Sequence, residues 1–314
     1  MAGFFNAVSA ASLLFMLMAV GYVLGRLGWL TAVEKKFLSR FVVNVAVPFN
    51  CVTGLLNNLD RAGLAQAGGM LAAGMLGTAL TIALGALGAA ALKLPRKRWG
   101  VFVAMAGTSN TLFIGLPMTT QLFGEAGIPF LMIYYLCNTT FVQTLVLSLI
   151  ERAGSAAPTK LSVTGVAKNL ITKPPVIGVI TGLALLVLGL RPPQLIMKFA
   201  GYIGGTVTPL ALLYCGFIIY EVGLRNLRLL RGIPLMLVIR LMVAPVICLG
   251  MCTLFGVSGM ARDVFIVESA LPVVTQVVVM VGAFGADEEY AATGACLSTL
   301  GCFFTIPVLM LFLS

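Results

Sequence analysis

The sequence contains no histidine among its 314 residues. Imidazole is the most versatile general base and the most common metal ligand in proteins, so its absence argues against zinc chemistry and triad hydrolysis. The apolar stretches also lack paired carboxylates and Ser-Lys pairs, which argues against an enzyme. We expect no cofactor and no metal site, and we expect the cysteines to be reduced core residues, since each lies in an apolar run without a C-x-x-C pair. These cysteines are Cys51, Cys137, Cys215, Cys248, Cys252, Cys296 and Cys302.

Charged residues are scarce as well. Only 10% of the chain is charged while 60% is hydrophobic, and the mean hydropathy is +1.07. This balance predicts a polytopic, all-α membrane protein with little room for an extramembrane domain. The net charge of +10 lies in short loops, which argues against nucleic acid as a partner and leaves the lipid bilayer.

Ten apolar windows are long enough to cross about 30 Å of hydrocarbon. The first window is expected to be retained as a span, because MAGFFNAVSA lacks the basic start of a cleaved signal peptide. We number the windows as segments 1 to 10. They cover 4–24, 37–56, 67–91, 99–121, 128–150, 174–190, 201–221, 234–255, 262–284 and 290–312.

Basic residues alternate between the loops. Loops after segments 1, 3, 5 and 7 hold fifteen Lys and Arg residues, whereas the opposite loops hold four, Arg61, Arg191, Lys198 and Arg262. The positive-inside rule therefore predicts that both termini lie outside the cytoplasm. The fifteen are Arg26, Lys35, Lys36, Arg40, Lys93, Arg96, Lys97, Arg98, Arg152, Lys160, Lys168, Lys173, Arg225, Arg228 and Arg231.

A weak internal repeat divides the chain. Val47-Pro48 reappears as Thr208-Pro209, and Phe123-Gly124 reappears as Phe284-Gly285, each 161 positions later. Five spans are an odd number of crossings, so the second copy must enter the membrane inverted. We predict one five-helix repeat over 1–150, a cytoplasmic linker with one interfacial helix over 151–173, and a second repeat over 174–314.

Segment 4 carries a cluster of glycine, proline and polar residues that an ordinary membrane span does not need. Pro117 lacks an amide hydrogen and its ring clashes with the Phe113 carbonyl, so the helix is predicted to break there. Broken backbone in hydrocarbon is tolerated where it is buried in protein or lines a cavity, as at transporter sites. A simple packing kink is the alternative. The other members of the cluster are Gly107, Thr108, Ser109, Asn110 and Gly115.

Segment 9 carries the partner break at Pro272, followed by Thr275 and Gln276. Glu268, one turn earlier, is the only acidic residue that the windows place deep in the membrane. It must be protonated or lie beside a cation, and no Lys or Arg is expected at that depth. We interpret Glu268 as the site of a coupling ion, a proton rather than sodium; the alternative is a neutral acid with one structural hydrogen bond.

Arg240 lies about a turn and a half inside segment 8. We expect its side chain to snorkel to the cytoplasmic face, toward Glu221. A substrate anchor is the alternative interpretation.

The chain carries four distinctive motifs, SNTLFIGLP (Ser109 to Pro117), LFGE (Leu122 to Glu125), VPFN (Val47 to Asn50) and IVESALP (Ile266 to Pro272). These motifs resemble those of the auxin efflux carrier family, which includes plant PIN proteins and bacterial carriers often labelled malonate transporters. The resemblance covers essentially the whole chain. It implies ten transmembrane helices in two inverted five-helix repeats, with helices 4 and 9 interrupted and crossing at the substrate site, in the cell membrane of a bacterium.

The resemblance also implies roles for single residues. Asn110 is the amide that faces the substrate carboxylate, and Asn138 stands where plant members place a glutamine near the substrate. The chain departs from the family at two positions, since many bacterial relatives have asparagine where this chain has Gln276, and plant members have glutamine where it has Glu268. Substrate identity and ion coupling are therefore left open.

Together these features predict a secondary carrier of small organic anions, malonate- or auxin-like, with elevator-like alternating access. The anion would meet two half-helix N-termini and the amides of Asn110, Asn138 and Gln276. Asn50 and Thr53 either line the path or face a neighbouring helix. A sodium-coupled or uncoupled carrier, a channel and a non-transporting sensor are the alternatives, and a homodimer is left open.

Overall fold

The computed structural model describes residues 2–58, 67–154, 171–223 and 227–313. Of the predicted loop cations, Arg61, Lys160, Lys168 and Arg225 lie outside these ranges. Most of the predicted linker, with its interfacial helix, lies outside them too. Topology with respect to the cytoplasm therefore stays a prediction.

The described residues form helices and the turns that join them, with no β-strand among them. Each of the ten apolar windows contains one helix or two. We number the helices α1 to α12. They are α1 (Ala2–Arg26), α2 (Ala32–Asn58), α3 (Ala67–Ala91), α4 (Arg96–Gly107), α5 (Thr111–Phe123), α6 (Glu125–Gly154), α7 (Pro174–Leu188), α8 (Gln194–Val222), α9 (Ile233–Leu254), α10 (Gly259–Ser269), α11 (Gln276–Phe284) and α12 (Glu288–Leu313).

Six of the described helices, α2, α3, α6, α8, α9 and α12, are long and apolar enough to cross a membrane. Their outward faces carry large exposed apolar side chains such as Leu195, Phe304 and Phe312. Such a surface is stable against lipid but not against water. The protein is therefore a multi-pass membrane protein, as the composition predicts.

Glycines allow the helices to approach closely. A Cβ atom at Gly21 of α1 would overlap the Leu213 carbonyl of α8, and one at Gly216 of α8 would overlap the Met18 carbonyl of α1. Gly178 of α7 lies in the same way against the backbone of Pro48 in α2. Small residues at such contacts are typical of membrane helices, where close van der Waals packing drives association.

Three of the prolines within the spans are accommodated by wider turns. Three π turns each lie two residues before a proline, and the extra residue in such a turn relieves the clash between the proline ring and the preceding carbonyl. They are Val42–Ala46 before Pro48, Thr111–Gly115 before Pro117, and Ile239–Val243 before Pro245.

The prediction that segment 4 breaks at Pro117 is therefore wrong. Pro117 lies inside α5, and the interruption lies upstream of it, between Gly107 and Thr111. In segment 9 the helix is interrupted between Ser269 and Gln276, a stretch that includes Pro272 as expected.

Candidate functional site

The two interruptions touch each other. The Asn110 N–H donates a hydrogen bond to the Pro272 carbonyl at 2.9 Å, and Ser109 and Val273 form an isolated antiparallel bridge. The Val273 N–H donates in turn to Ser298 Oγ of α12 at 3.1 Å. Unwound backbone in an apolar interior must find partners, and here they come from the other interruption and from side chains of neighbouring helices. We call this contact, residues 108–110 with 270–275, the crossover.

Asn138 of α6 fixes the first interruption. Its Nδ2 donates to the Ser109 carbonyl at 2.8 Å, and its Oδ1 accepts from the Ser109 N–H at 3.1 Å. A primary amide can replace the missing neighbouring strand in this way because it carries a donor and an acceptor side by side. The Asn138 side chain, which the resemblance places near the substrate, thus also binds the backbone of the first interruption.

A small cavity of about 20 Å³ lies against the crossover, with room for one or two water molecules. Its lining includes the first turns of two half-helices, α5 and α11. The N–H groups of a first turn have no partner within their helix and carry a partial positive charge. The lining residues are Asn110, Thr111, Leu112, Phe113, Tyr135, Asn138, Thr139, Val142, Val274, Thr275 and Gln276.

Asn110 lies at the centre of this arrangement. It is 3% exposed, its Nδ2 donates to Thr275 Oγ1 at 2.8 Å, and it also borders a second cavity of similar size on its other side. An amide held between two half-helix N-termini suits a carboxylate, which accepts several hydrogen bonds at once. The cavity must widen to admit one.

Gln276 and Asn50 have different surroundings. Gln276 lines the cavity and its Oε1 accepts a hydrogen bond from Gln143 Nε2 at 3.3 Å. The sequence analysis did not include Gln143 among the site residues, although an amide side chain within an apolar segment could have indicated it. Asn50 is not brought to the crossover: its Nδ2 lies 3.5 Å from the Gly204 carbonyl, between α2 and α8. Thr53 donates to carbonyls of its own helix.

Glu268 is completely buried behind α5 and lines neither cavity. Thr119 Oγ1 donates to its Oε1 at 2.8 Å, and its Oε2 has no hydrogen-bond partner within the described part of the chain. The carboxyl group packs on Gly115, where a Cβ atom would overlap both of its oxygens. The Gly115 N–H donates to the Asn110 carbonyl at 2.9 Å. One turn of α5 therefore separates the Glu268 carboxyl group from Asn110 and the cavity.

The prediction for Arg240 is wrong. The side chain is 1% exposed, and its Nη1 and Nη2 donate to the carbonyls of Ala106, at 3.3 Å, and Ser269. Glu221 pairs with Lys35 instead, at 2.6 Å. A cation therefore does lie as deep as Glu268, because carbonyls at the ends of α4 and α10 solvate it where water cannot. The sequence feature that could have indicated this buried cation was a lone arginine in the middle of an apolar segment.

Glu268 does not pair with this cation. The three salt bridges of the described ranges are Lys35–Glu221, Arg98–Asp287 and Arg262–Asp263. Among the same residues, no three Cys, Asp or Glu side chains gather closely enough to hold a metal ion.

We predict that Gly115→Ala destabilises the protein. The new Cβ would overlap the Glu268 carboxyl group and Leu271, and such overpacking costs about 1 to 3 kcal/mol. Thermal unfolding in detergent measures the effect. Gly201→Ala is the matched control, since nothing lies within 4 Å of its new Cβ and alanine favours a helix. Equal melting temperatures for the two variants would contradict the close contact.

Comparison with known proteins agrees with these observations. A family described as membrane transport protein matches residues 7–310. An "uncharacterized transporter" of Methanothermobacter thermautotrophicus is 25% identical over 298 residues, which cover 93% of this chain and 94% of the relative. The "uncharacterized transporter MJ1031" of Methanocaldococcus jannaschii is 22% identical over 291 residues, 90% of this chain and 91% of the relative. With nearly its whole length matched, the chain belongs to the membrane transport protein family, that of the auxin efflux carriers.

Proposed function

We propose that the protein is a secondary active transporter of small organic anions, mono- or dicarboxylates, that works by elevator-like alternating access. One observation carries the proposal: the first turns of α5 and α11 and the side chain of Asn110 line the same cavity. Half-helix N-termini near the middle of the membrane are where carriers bind the anionic groups of their substrates.

The electrostatics favour an anion over a cation. Each N-terminus contributes about half a positive charge, and it counts for more here than at a surface because little water screens it. The described lining carries no ionised side chain. A cation would meet positive partial charges on two sides, whereas a carboxylate would find unpaired N–H donors.

The packing supports an architecture of two inverted repeats, 1–150 and 174–314, joined by the linker 151–173. In such a repeat α1 corresponds to α7, α2 to α8 and α3 to α9. The contact of α1 with α8 then corresponds to the contact of α7 with α2, and both contacts are extensive. The contact of α3 with α9 corresponds to itself. The second half-helices α5 and α11 both end at a glycine with positive φ, Gly124 and Gly285.

We propose a proton as the coupling ion and Glu268 as its site. Protonation there removes a negative charge that lies behind the Gly115 turn, and this would ease the approach of an anion to Asn110. Sodium coupling or uncoupled transport by the same architecture is the alternative. A bacterial inner membrane with both termini outside the cytoplasm, and a homodimer within it, belong to the proposal.

Binding and uptake test the proposal in turn. Purified protein is first screened by thermal shift against mono- and dicarboxylates, their neutral amides and amines, because a ligand of the folded state raises its apparent stability. The best carboxylate is then radiolabelled and offered to proteoliposomes. We expect saturable uptake that the unlabelled acid inhibits and its amide does not. Stabilisation and uptake of amines alone, or of no compound in the panel, would contradict the proposal.

A further inference from the structure

Arg240 joins the two half-helices that end at the crossover. Ala106 is the penultimate residue of α4, and Ser269 is the last residue of α10. The guanidinium group donates to the carbonyls of both, from a third helix, α9. One buried side chain thus serves the C-terminal ends of both interrupted helices.

The charge of Arg240 matches what these ends require. The last carbonyls of a helix have no partner within it, and each C-terminus carries about half a negative charge. Two such ends balance one positive charge. No carboxylate of the described ranges forms a salt bridge with Arg240, and the titratable side chains beside it are the Tyr134 phenol and the Cys248 thiol. The helix ends are therefore its counter-charge.

Half-helix C-termini and unwound carbonyls are also where secondary carriers coordinate a coupling cation. In this protein those carbonyls are already occupied by a guanidinium group. We propose that Arg240 is a built-in cation that takes the place of a bound sodium ion at the crossover, and that transport therefore does not require sodium. Arg240 is a positioning residue: it links the C-terminal ends of α4 and α10, so that Asn110 and the N-termini of α5 and α11 converge on the cavity.

The first experiment measures stability and needs no substrate. Arg240→Ala removes both the charge and the bulk, Arg240→Lys keeps the charge, and Arg262→Ala removes a surface arginine paired with Asp263. Each variant is melted in detergent with and without guanidinium chloride at low millimolar, non-denaturing concentration. We expect Arg240→Ala to melt lowest, guanidinium to raise its melting temperature, and guanidinium to leave the wild type and Arg262→Ala unchanged.

The second experiment measures transport and rests on the proposed function. In proteoliposomes with sodium replaced by choline, the wild type is expected to keep its full uptake rate. Arg240→Ala should lose about ten- to a hundredfold, the effect of a lost hydrogen bond to a charged group, and recover with guanidinium. Arg240→Lys should fall between the two, since an ammonium group cannot bridge two carbonyls as a planar guanidinium does.

The outcomes separate the two proposals. Rescue by guanidinium, or a lysine variant clearly better than alanine, in either experiment supports the built-in cation, provided that wild-type uptake needs no sodium. A lysine variant as damaged as alanine with no rescue in either experiment overturns it. Wild-type uptake that requires sodium overturns it whatever the melting result. Absence of uptake in every protein refutes the transport function, and the melting experiment still decides the role of Arg240.

Discussion

Replacing Asn110 with alanine is expected to weaken substrate binding by about ten- to a hundredfold, or about 1.5 to 3 kcal/mol. The amide is the donor that lies between the two half-helix N-termini, and a desolvated carboxylate that loses such a partner has no water to replace it. The fold should survive, because the bond from the Asn110 N–H to the Pro272 carbonyl belongs to the backbone. In the same variant the Thr275 hydroxyl loses the hydrogen bond that it accepts from Asn110 Nδ2.

Titration of the thermal shift with the best carboxylate measures this affinity. Asn50→Ala is the matched control: the same amide is removed from a partly buried helix contact that borders neither cavity. It should leave the affinity unchanged, because Asn50 contacts neither cavity. Wild-type affinity in a correctly folded Asn110→Ala protein would exclude the carboxylate contact.

The second large effect is expected for Glu268→Gln, which should abolish the pH dependence of transport while retaining substrate binding. Glutamine has the shape of the protonated acid and keeps an acceptor for Thr119, so the variant imitates the low-pH state at every pH. In the wild type, acidification should strengthen substrate binding, because protonation removes the negative charge behind Gly115. In the variant, binding should be strong and independent of pH.

Uptake driven by an imposed pH gradient tests this assignment. Wild-type proteoliposomes should accumulate the anion above equilibrium, whereas Glu268→Gln should only equilibrate it. Glu221→Gln is the control, because it alters a carboxylate that is partly exposed and paired with Lys35. Accumulation by Glu268→Gln equal to that of the wild type would make the residue structural, and would leave the carrier uncoupled from protons at this position.

Much of the fold could be predicted because the membrane constrains sequence strongly. Each apolar window contains a helix or a pair of half-helices, since every backbone group in lipid must be satisfied locally. The break near Pro272 could be predicted from the proline itself. The break in segment 4 was misplaced because Pro117 is relieved by the preceding π turn, which single-residue propensities do not show.

The site was predictable only in part. The Asn110, Thr275 and Gln276 side chains were found because polar residues beside an interruption are conspicuous in an apolar segment. The contacts of Glu268 with Thr119 and of Arg240 with Ala106 join different helices. Hydropathy gives an approximate depth for each residue but not the neighbour that its side chain meets, which depends on how the helices cross.

The π turn at Thr111–Gly115 has a consequence for any alignment of this protein with its relatives. Such a turn holds one residue more than an α turn, and each residue of a helix adds about 100° of rotation. Loss of that one residue would swing Asn110 away from the cavity and bring a different side chain toward it, with α5 beyond Pro117 left in place. At 25% identity, a single-residue gap in this turn therefore changes which amino acid is compared with Asn110.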